Sequence, residues 1–267
     1  MKKIVALLMM IAMTFSFVAC GAKDAGTETA QTDKEYVIAN GKLVVGITDF
    51  APMDYRDGNN EWIGFDADMA KAFAASLGVE VEFVEIAWDN KSMELTGKTI
   101  DCVWNGMTLT DEVKSAMSCS NAYCNNAQIV ILPADKANQY QTVESLKELN
   151  IAVEEGSAGK EVAEANGLTV KGVLDQATAL MEVKAGSADA AIIDSLMAAA
   201  MVGEGTGYAE LVYVDALKLN SEEYGVGFRK GSDLTEALNE FFKASYADGS
   251  MMECAEKYGV NAAIIAQ

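Results

Sequence analysis

The sequence predicts an α/β fold of open, mostly parallel sheets that carry helices on both faces. Short runs of β-forming residues alternate with runs of helical spacing from Lys42 to the end of the chain, and no internal repeat interrupts them. Such alternation is typical of parallel sheets, because parallel neighbours need a long crossover that is usually a helix. The chain after its N-terminal segment is long enough for two domains of about a hundred residues each.

In the first half of the chain, strands are predicted at residues 43–47, 79–83, 102–104 and 128–132. A helix is predicted to begin near Phe65, because apolar residues recur there every three or four positions, and Gly78 is a typical stop. Thr110 is predicted to cap a second helix that begins at Asp111, since its hydroxyl can accept a bond from a free backbone N–H group.

In the second half, strands are predicted at residues 151–153, 168–173, 190–193, 211–214 and 224–228. Helices are predicted from Ser157 to Gly167, after a cap at Asp175, from Leu234 to Phe242 and from Ser250 to Tyr258. Four candidate strands end at polar or glycine-rich residues, which are 48–50, 105–108, 156–158 and Asp194. Ligands of such sheets bind beyond the carboxyl ends of the strands, so these four ends predict one site.

The N-terminal segment has the pattern of a secretion signal. Lys2 and Lys3 precede an uncharged apolar run, and Ala19 precedes Cys20. This arrangement resembles a bacterial lipoprotein cleavage site, and it predicts a signal peptide over residues 1–19 and a lipid on the Cys20 thiol. Ordinary secretion, with Cys20 removed or free, is the alternative. Residues 20–35 are small and polar, and we expect them to form a flexible tether.

Composition excludes several classes of function. The formal net charge of −20 disfavours nucleic acid as a partner. The chain has no histidine, which excludes histidine-based catalysis and most transition-metal sites, so no metal and no cofactor is predicted. Besides Cys20 the cysteines are Cys102, Cys119, Cys124 and Cys254. A bridge between Cys119 and Cys124 stays open, because spacing alone does not fix disulfide geometry.

Three motifs in order suggest a family: residues 50–55 (FAPMDY), 64–70 (GFDADMA) and 104–110 (WNGMTLT). With residues 88–89, 142–149, 156–159, 186–194 and 221–231, they resemble the solute-binding proteins (family 3) of polar amino-acid ABC importers. The resemblance implies the type II periplasmic-binding-protein fold, with two lobes joined by a two-strand hinge. It places lobe 1 at residues 36–126 and 222–267, and lobe 2 at residues 127–221.

The resemblance also implies a function. It predicts an extracytoplasmic binding protein, and not an enzyme, that delivers a small amine-bearing solute, above all an amino acid, to an ABC permease. The expected form is a monomer, anchored by its lipid to the outer face of the cytoplasmic membrane or located in the periplasm. Two other functions remain open. One is an exported, dehydratase-like enzyme that uses Asp49, Asp54, Glu155 or Asp194 as general acid, and the other is an accessory of a sensor.

The family's ligand-binding residues can be placed on this chain by position. Phe50 is implied to stack on the ligand, Trp88 to form a second aromatic wall, and Asp194 to pair with the ligand ammonium. Donors for a ligand carboxylate are implied in the run Asn105, Gly106, Met107 and Thr108, and at the helix start Ser157 and Ala158. Purely structural roles are the alternative, with aromatic rings in the core and Asn105, Ser157 and Asp194 as caps.

One position departs from the family pattern. In the family an arginine that binds the ligand carboxylate follows Thr110 by three residues, and this chain has Val113 there. Its two arginines, Arg56 and Arg229, are elsewhere. Two interpretations remain: the ligand is an amine without such a carboxylate, or its carboxylate is bound by backbone N–H groups and another cation.

Overall fold

Two separate open sheets organise residues 31–267, the part of the chain that this computed structural model describes. The predicted signal peptide, the Cys20 lipidation site and residues 20–30 of the predicted tether lie outside these residues. Within residues 31–267, no helix is long and apolar enough to cross a bilayer.

Every strand and helix that the sequence predicts is present along the described chain. The structure adds short strands at residues 55–56, 62–63, 118–119 and 124–126 and helices at 33–40 and 91–96. The strands are β1 Lys42–Ile47, β2 Tyr55–Arg56, β3 Trp62–Ile63, β4 Glu80–Glu85, β5 Cys102–Thr108, β6 Ser118–Cys119, β7 Cys124–Asn126, β8 Gln128–Pro133, β9 Ile151–Glu154, β10 Val170–Val173, β11 Ala190–Asp194, β12 Leu211–Lys218 and β13 Glu222–Phe228. The helices are α1 Asp33–Asn40, α2 Phe65–Ser76, α3 Lys91–Thr96, α4 Asp111–Ala116, α5 Ala158–Ala165, α6 Gln176–Ala185, α7 Ser195–Met201, α8 Leu234–Asp248 and α9 Ser250–Lys257.

The first sheet has the strand order β4-β1-β5-β13-β6, and β7 also pairs with β13. Strands β4, β1 and β5 are parallel, with Val45 opposite both Phe83 and Cys102. Strand β13 is antiparallel to β5, β6 and β7. The core beside this sheet includes Leu43 and Ile47 of β1 and Phe73 of α2, each at most 1% exposed. This burial is the reason for the helical spacing of apolar residues in α2.

The second sheet has the strand order β10-β9-β11-β8-β12. Strands β10, β9 and β11 are parallel, whereas β8 is antiparallel to both of its neighbours, β11 and β12. The prediction of mostly parallel sheets is therefore corrected to mixed sheets with a parallel part of three strands each. Strands β8 and β13 enter from the other sheet through short connections, so no helical crossover makes them parallel to their neighbours.

The chain passes twice between the two sheets. Strand β7 pairs in the first sheet and β8 in the second, so the first passage is at Ala127. Strand β12 ends at Lys218 in the second sheet and β13 begins at Glu222 in the first, so the return passage is at residues 219–221. Two adjacent connections of this kind are the covalent links across which a two-lobed protein can bend.

Helix caps follow the sequence closely. The Thr110 hydroxyl accepts a bond from the Val113 backbone, and the Asp175 carboxylate accepts one from Thr178 at 2.6 Å. Helix α1 differs from the prediction. The sequence predicts a flexible tether as far as residue 35, whereas α1 begins at Asp33. A capping box at Thr32 and the ion pair of Asp33 with Arg229, at 3.0 Å, hold the start of α1.

Cys102, Cys119, Cys124 and Cys254 are all free thiols in the structure. The bridge between Cys119 and Cys124 that spacing left open is therefore not formed.

Candidate functional site

A cavity lies between the two sheets, and the nine ligand-binding residues expected within the described chain all line it. They are Phe50, Trp88, Asn105, Gly106, Met107, Thr108, Ser157, Ala158 and Asp194. Their elements come from both sheets, with β1 and β5 ending on one side and β9 and β11 on the other. This common location agrees with the rule that ligands of such sheets bind at the carboxyl ends of strands.

Phe50 forms an aromatic wall of the cavity and packs against Gly106. Any other residue at position 106 would require the neighbouring rings to move. Its ring meets Tyr224 edge-on, with 6.3 Å between centroids. Gly106 has a φ of +53°, and a Cβ there would lie 2.4 Å from Phe50 Cε1 and 3.1 Å from Tyr224 Cε2. Only glycine lets the β5 backbone approach both rings this closely.

Trp88 forms a second wall, and Lys91 binds beside it. The Lys91 ammonium lies 4.9 Å from the Trp88 ring centroid, and it donates to the Trp88 carbonyl at 3.2 Å and to the Gly156 carbonyl at 2.9 Å. Gly156 belongs to the loop after β9, so this last bond crosses the cleft. Burial lowers the pKa of Lys91, an effect that nearby carboxylates oppose.

The Asn105 side chain uses all of its hydrogen-bonding capacity inside the protein. Its Nδ2 donates to the Thr48 carbonyl at 3.0 Å and to Asp54 Oδ2 at 2.8 Å. Its Oδ1 accepts from the Thr48 backbone N–H and from the Thr48 hydroxyl, at 3.0 and 2.7 Å. An amide has two donor hydrogens and two acceptor sites, so no Asn105 donor remains for a ligand carboxylate.

The next residue is fixed by a buried carboxylate. The Gly106 backbone N–H donates to Asp66 Oδ2 at 2.6 Å, and the Tyr123 hydroxyl donates to the same oxygen at 2.7 Å. Burial raises the pKa of Asp66 to about 7, although these two donors oppose the rise. Burial and the nearby Asp66 charge also raise the pKa of Asp54. Neither carboxylate lines the cavity.

Thr108 also donates its hydroxyl within the protein, to Glu222 Oε1 at 3.0 Å. The same Glu222 oxygen accepts from Asn126 Nδ2 at 2.6 Å and from Gln128 Nε2 at 2.8 Å. Asn126, Gln128 and Glu222 flank the two passages between the sheets, so the polar network of the cavity continues into the connections.

The Asp194 carboxylate lies in a cradle of side-chain amides. Its Oδ1 accepts from Asn126 and from Gln128, the latter at 2.6 Å, and its Oδ2 accepts from Gln176. Asp194 precedes α7, but its side chain makes no capping bond to that helix. The capping role that the sequence left open is therefore wrong. Burial, and next the charge of Glu222, raise the pKa of Asp194 well above its usual range.

Ser157 does act as a helix cap, because its hydroxyl oxygen accepts from the Lys160 backbone at 3.2 Å. It is at the same time a lining residue, as is Ala158 at the first position of α5. The free N–H groups of this first turn point beyond the helix end, where they can meet an acceptor. The two interpretations of Ser157 are compatible.

Several lining residues are missing from the sequence-based prediction, namely Lys91, Gln128, Glu154 and Gln176. Glu154 is the last residue of β9 and is 3% exposed, and its Oε1 has no hydrogen-bond partner. The sequence did carry a signal for Glu154, because this residue directly follows the predicted strand at residues 151–153, at the end where ligands bind. For Gln128 and Gln176 the sequence offered no signal, because their role depends on contacts with Asp194 from distant elements.

Val113 lines the cavity as an apolar residue and is 7% exposed. It packs with a cluster that includes Trp88, Leu95 and Met107. The position at which the family has its arginine is therefore part of a small hydrophobic core. Among the described residues that line the cavity, Lys91 is the one with a positive charge.

The carboxylates that an enzyme could use are dispersed. Of Asp49, Asp54, Glu155 and Asp194, only Asp194 lines the cavity. Within residues 31–267 no group of three or more potential ligands could hold a metal ion.

Comparison with known proteins agrees with this geometry. The family model of the bacterial extracellular solute-binding proteins, family 3, matches residues 43–261. The chain is similar to the arginine-binding extracellular protein ArtP of Bacillus subtilis, with 29% identity over 265 residues, or 97% of this chain and 98% of that protein.

Solved structures have the same fold. A substrate-binding protein of an ABC uptake transporter from Streptococcus pneumoniae, with bound histidine, matches with a TM-score of 0.79 at 28% identity and covers 88% of this chain and 99% of that one. The ancestral amino acid-binding protein AncCDT-1, a precursor of cyclohexadienyl dehydratase, matches with a TM-score of 0.76 at 32% identity and covers 84% and 98%. The prediction of a two-lobed α/β binding-protein fold is confirmed.

Proposed function

The chain belongs to family 3 of the bacterial extracellular solute-binding proteins, and we propose that it captures a small amine-bearing solute of the amino-acid class for an ABC importer. Similar proteins bind arginine and histidine, which supports this solute class. The solute is held between lobe 1, residues 36–126 and 222–267, and lobe 2, residues 127–221.

The proposal depends on the position of Asp194. Its carboxylate lines the cavity, is 4% exposed, and accepts bonds from amides alone, with no ion pair among residues 31–267. A primary ammonium would supply the missing positive charge, and a charge-assisted hydrogen bond in a site closed to water is stronger than one at the surface. Phe50 and Trp88 provide apolar walls for the carbon skeleton.

Ligand capture proceeds by closure of the lobes about the passages at Ala127 and residues 219–221. The bond from Lys91 to the Gly156 carbonyl, at 2.9 Å, joins the two lobes at the mouth of the cleft. The ligand stabilises the closed form because it contacts both lobes at once. The permease then binds the protein in its closed form.

The protein acts at the cell exterior as a lipid-anchored monomer. Cys20 follows an apolar run and a small residue, and this pattern supports lipidation of its thiol. The anchor holds the protein at the outer face of the cytoplasmic membrane, close to the permease.

A thermal-shift screen of the purified protein with the common amino acids tests the function. A ligand that binds only the folded state raises the melting temperature, and the rise grows with the logarithm of the ratio of ligand concentration to Kd. We expect at least one amine-bearing solute to raise it, and we expect Asp194→Asn to remove that shift. Asp215→Asn, at an exposed position of β12, is the matched control and should keep it. A full shift with Asp194→Asn would exclude Asp194 as the ammonium site.

An exported enzyme is the second candidate, because a structural neighbour is a precursor of a dehydratase. Only one of the four candidate carboxylates lines the cavity, and it is surrounded by amides rather than by a nucleophile or base. Incubation of the bound solute with the protein, followed by mass spectrometry, separates the two functions. We expect the solute to be recovered unchanged, and a change of mass would support the enzyme.

A further inference from the structure

The cavity is strongly acidic. Its lining includes one lysine, Lys91, against five carboxylate side chains, which are Asp89, Glu112, Glu154, Glu161 and Asp194. Lys91 donates to two backbone carbonyls, and among residues 31–267 no ion pair joins it to a carboxylate. A cleft lined by one sign of charge attracts ligands of the opposite sign, and the effect is largest where water is excluded. The lining therefore favours a solute with a net positive charge.

The side-chain donors expected to bind a ligand carboxylate are already used. Both Asn105 hydrogens and the Thr108 hydroxyl donate to acceptors within the protein, and so does the Gly106 N–H. At residue 113 the side chain is apolar and packed, so it offers no cation. The free N–H groups of α5 remain, but Glu161 of the same helix lines the cavity next to them. The cleft therefore lacks the arginine that the family provides for a ligand carboxylate.

Glu154 is the second buried carboxylate that faces the cavity. It is 3% exposed, and its Oε1 has no hydrogen-bond partner. A buried, unpaired acceptor is costly, and a ligand can complete one that faces a cavity. Asp54 and Asp66 also have an unpaired oxygen, but only Glu154 of the three lines the cavity. Within residues 31–267 no ion pair includes Glu154.

We propose that the cleft binds a solute with two positive charges, one held by Asp194 and one by Glu154, and that this solute needs no carboxylate. The proposal rests on the proposed function, because it takes Asp194 as the site of the first ammonium. It adds the class of the solute and the residue that selects it.

Glu154 and Asp194 are neighbours at the ends of adjacent strands. Strands β9 and β11 are parallel, and Val153 is opposite Ile192, so Asp194 is one residue further along its strand than Glu154. Both lie close to Gln176, which donates to Asp194 Oδ2 and opposes the rise in the pKa of Glu154. Glu154 also lies close to Thr48, just after β1, and to Lys91. One solute with two cationic groups can therefore contact both carboxylates.

The protonation of Glu154 gives the proposal a second readout. Burial raises the pKa of Glu154 to about 8, the charge of Asp175 adds to the rise, and Lys91, Gln176 and Thr48 oppose it. Asp194 is a further carboxylate near this group. A bound cation favours the ionised form, so binding of such a ligand must release a proton below pH 8.

Three probe ligands test which charged groups of the solute the cleft recognises. Arginine has two cations and a carboxylate, agmatine has the two cations alone, and citrulline replaces the guanidinium of arginine by a neutral group of similar shape. Isothermal titration of the full domain at a pH of about 8 is expected to give agmatine an affinity equal to or higher than that of arginine. Citrulline is expected to bind about thirtyfold more weakly or worse, the effect of losing one partner of a buried charge pair.

The matched variants are Glu154→Gln and Glu155→Gln. Glu155 is the next residue, is 45% exposed and pairs with Lys160, so its substitution keeps the site intact. Glu154→Gln should lose about thirtyfold in agmatine affinity and should reduce the preference for arginine over citrulline, whereas Glu155→Gln should change neither. In the wild type, agmatine affinity should fall at least about tenfold from pH 8 to pH 6, and Glu154→Gln should weaken this dependence, leaving the part that comes from Asp194.

The outcomes distinguish this proposal from the proposed function. If citrulline or histidine binds as tightly as arginine and Glu154→Gln has no effect, the dication class is excluded while amino-acid capture stands. If arginine binds more than tenfold more tightly than agmatine, the protein does recognise a carboxylate, and the proposal is overturned. If no amine-bearing solute binds at all, the function itself is wrong. If Glu154→Gln folds poorly, the affinities of the three probe ligands and the pH dependence of agmatine binding, both measured on the wild type, still test the proposal.

Discussion

Each lobe buries two carboxylates near the cleft, but only those of the second lobe face the cavity. In the first lobe, Asp54 accepts from the Asn105 side-chain amide and Asp66 accepts from the Gly106 backbone N–H, and neither lines the cavity. In the second lobe, Glu154 and Asp194 line the cavity itself. Burial raises the pKa of all four groups, so neither burial nor a raised pKa distinguishes a ligand-facing carboxylate from a structural one. The distinguishing feature is the position relative to the cavity.

The largest expected effect concerns Gly106 of β5, whose backbone N–H donates to Asp66. A Cβ at Gly106 would lie 2.4 Å from Phe50 Cε1, and the φ of +53° is unfavourable for alanine. We expect Gly106→Ala to lower the free energy of unfolding by about 3 kcal/mol, from overpacking and backbone strain together. Urea denaturation measures this, and it avoids guanidinium, which resembles the proposed ligand.

The matched control is Gly167→Ala. Gly167 also has a positive φ, +72°, but a Cβ there has no atom within 4 Å. Its substitution should cost only about 1 kcal/mol, the backbone strain alone. Equal losses for the two variants would mean that the Phe50 and Tyr224 rings do not restrict the β5 backbone at Gly106.

The second prediction uses the pH dependence of stability. The pKa of Asp66 is about 7 in the folded protein, above the 3.8 of the free side chain. The native state therefore binds more protons than the unfolded state in this range, and stability is complete at low pH and is lost as the pH rises through 7. Between pH values of about 5.5 and about 8, Asp66 should lower the free energy of unfolding by about 2 kcal/mol.

Asp66→Asn keeps an oxygen acceptor for Gly106 and Tyr123 but cannot ionise, so it should flatten that part of the pH dependence. Asp57 is half-buried, and hydrogen bonds from the Glu61 and Asn59 backbones lower its pKa despite an opposing effect of desolvation, so Asp57→Asn should leave the slope as it is. Melting temperatures at both pH values, without ligand, provide the measurement. An unchanged slope in Asp66→Asn would show that Asp66 is ionised in the native protein.

The smallest expected effect is at the contact between the lobes. A Cβ at Gly156 would lie 2.7 Å from Asp89 Cα on the opposite lobe. Gly156→Ala should hold the lobes slightly apart and reduce ligand affinity about tenfold, or ~1.4 kcal/mol. The free energy of unfolding should fall no more than in Gly167→Ala. Calorimetry with agmatine and urea denaturation test both statements, and unchanged affinity would mean that this contact does not limit closure.

Much of the site could be predicted from local sequence. Phe50, Asn105 and Asp194 each follow a predicted strand, and Ser157 precedes a predicted helix. All four line the cavity, although the structure extends the strand at Asn105 to Thr108. What these residues do there was harder to predict. Asn105 and Thr108 were expected to offer donors to a ligand, and the structure shows that Asp54, Thr48 and Glu222 take them.

The sequence by itself determined the longer strands and most of the helices, several of their caps and the carboxyl-end residues, because hydrophobic period and capping are properties of neighbouring residues. It also showed that arginine is absent from position 113. Only the tertiary structure decided that β8 and β13 run antiparallel, that Glu154 faces the cavity unpaired, and that amides surround Asp194. These features depend on residues far apart in the chain, such as Gln128 and Asp194, whose distances are set by the packing of whole sheets and not by local preference.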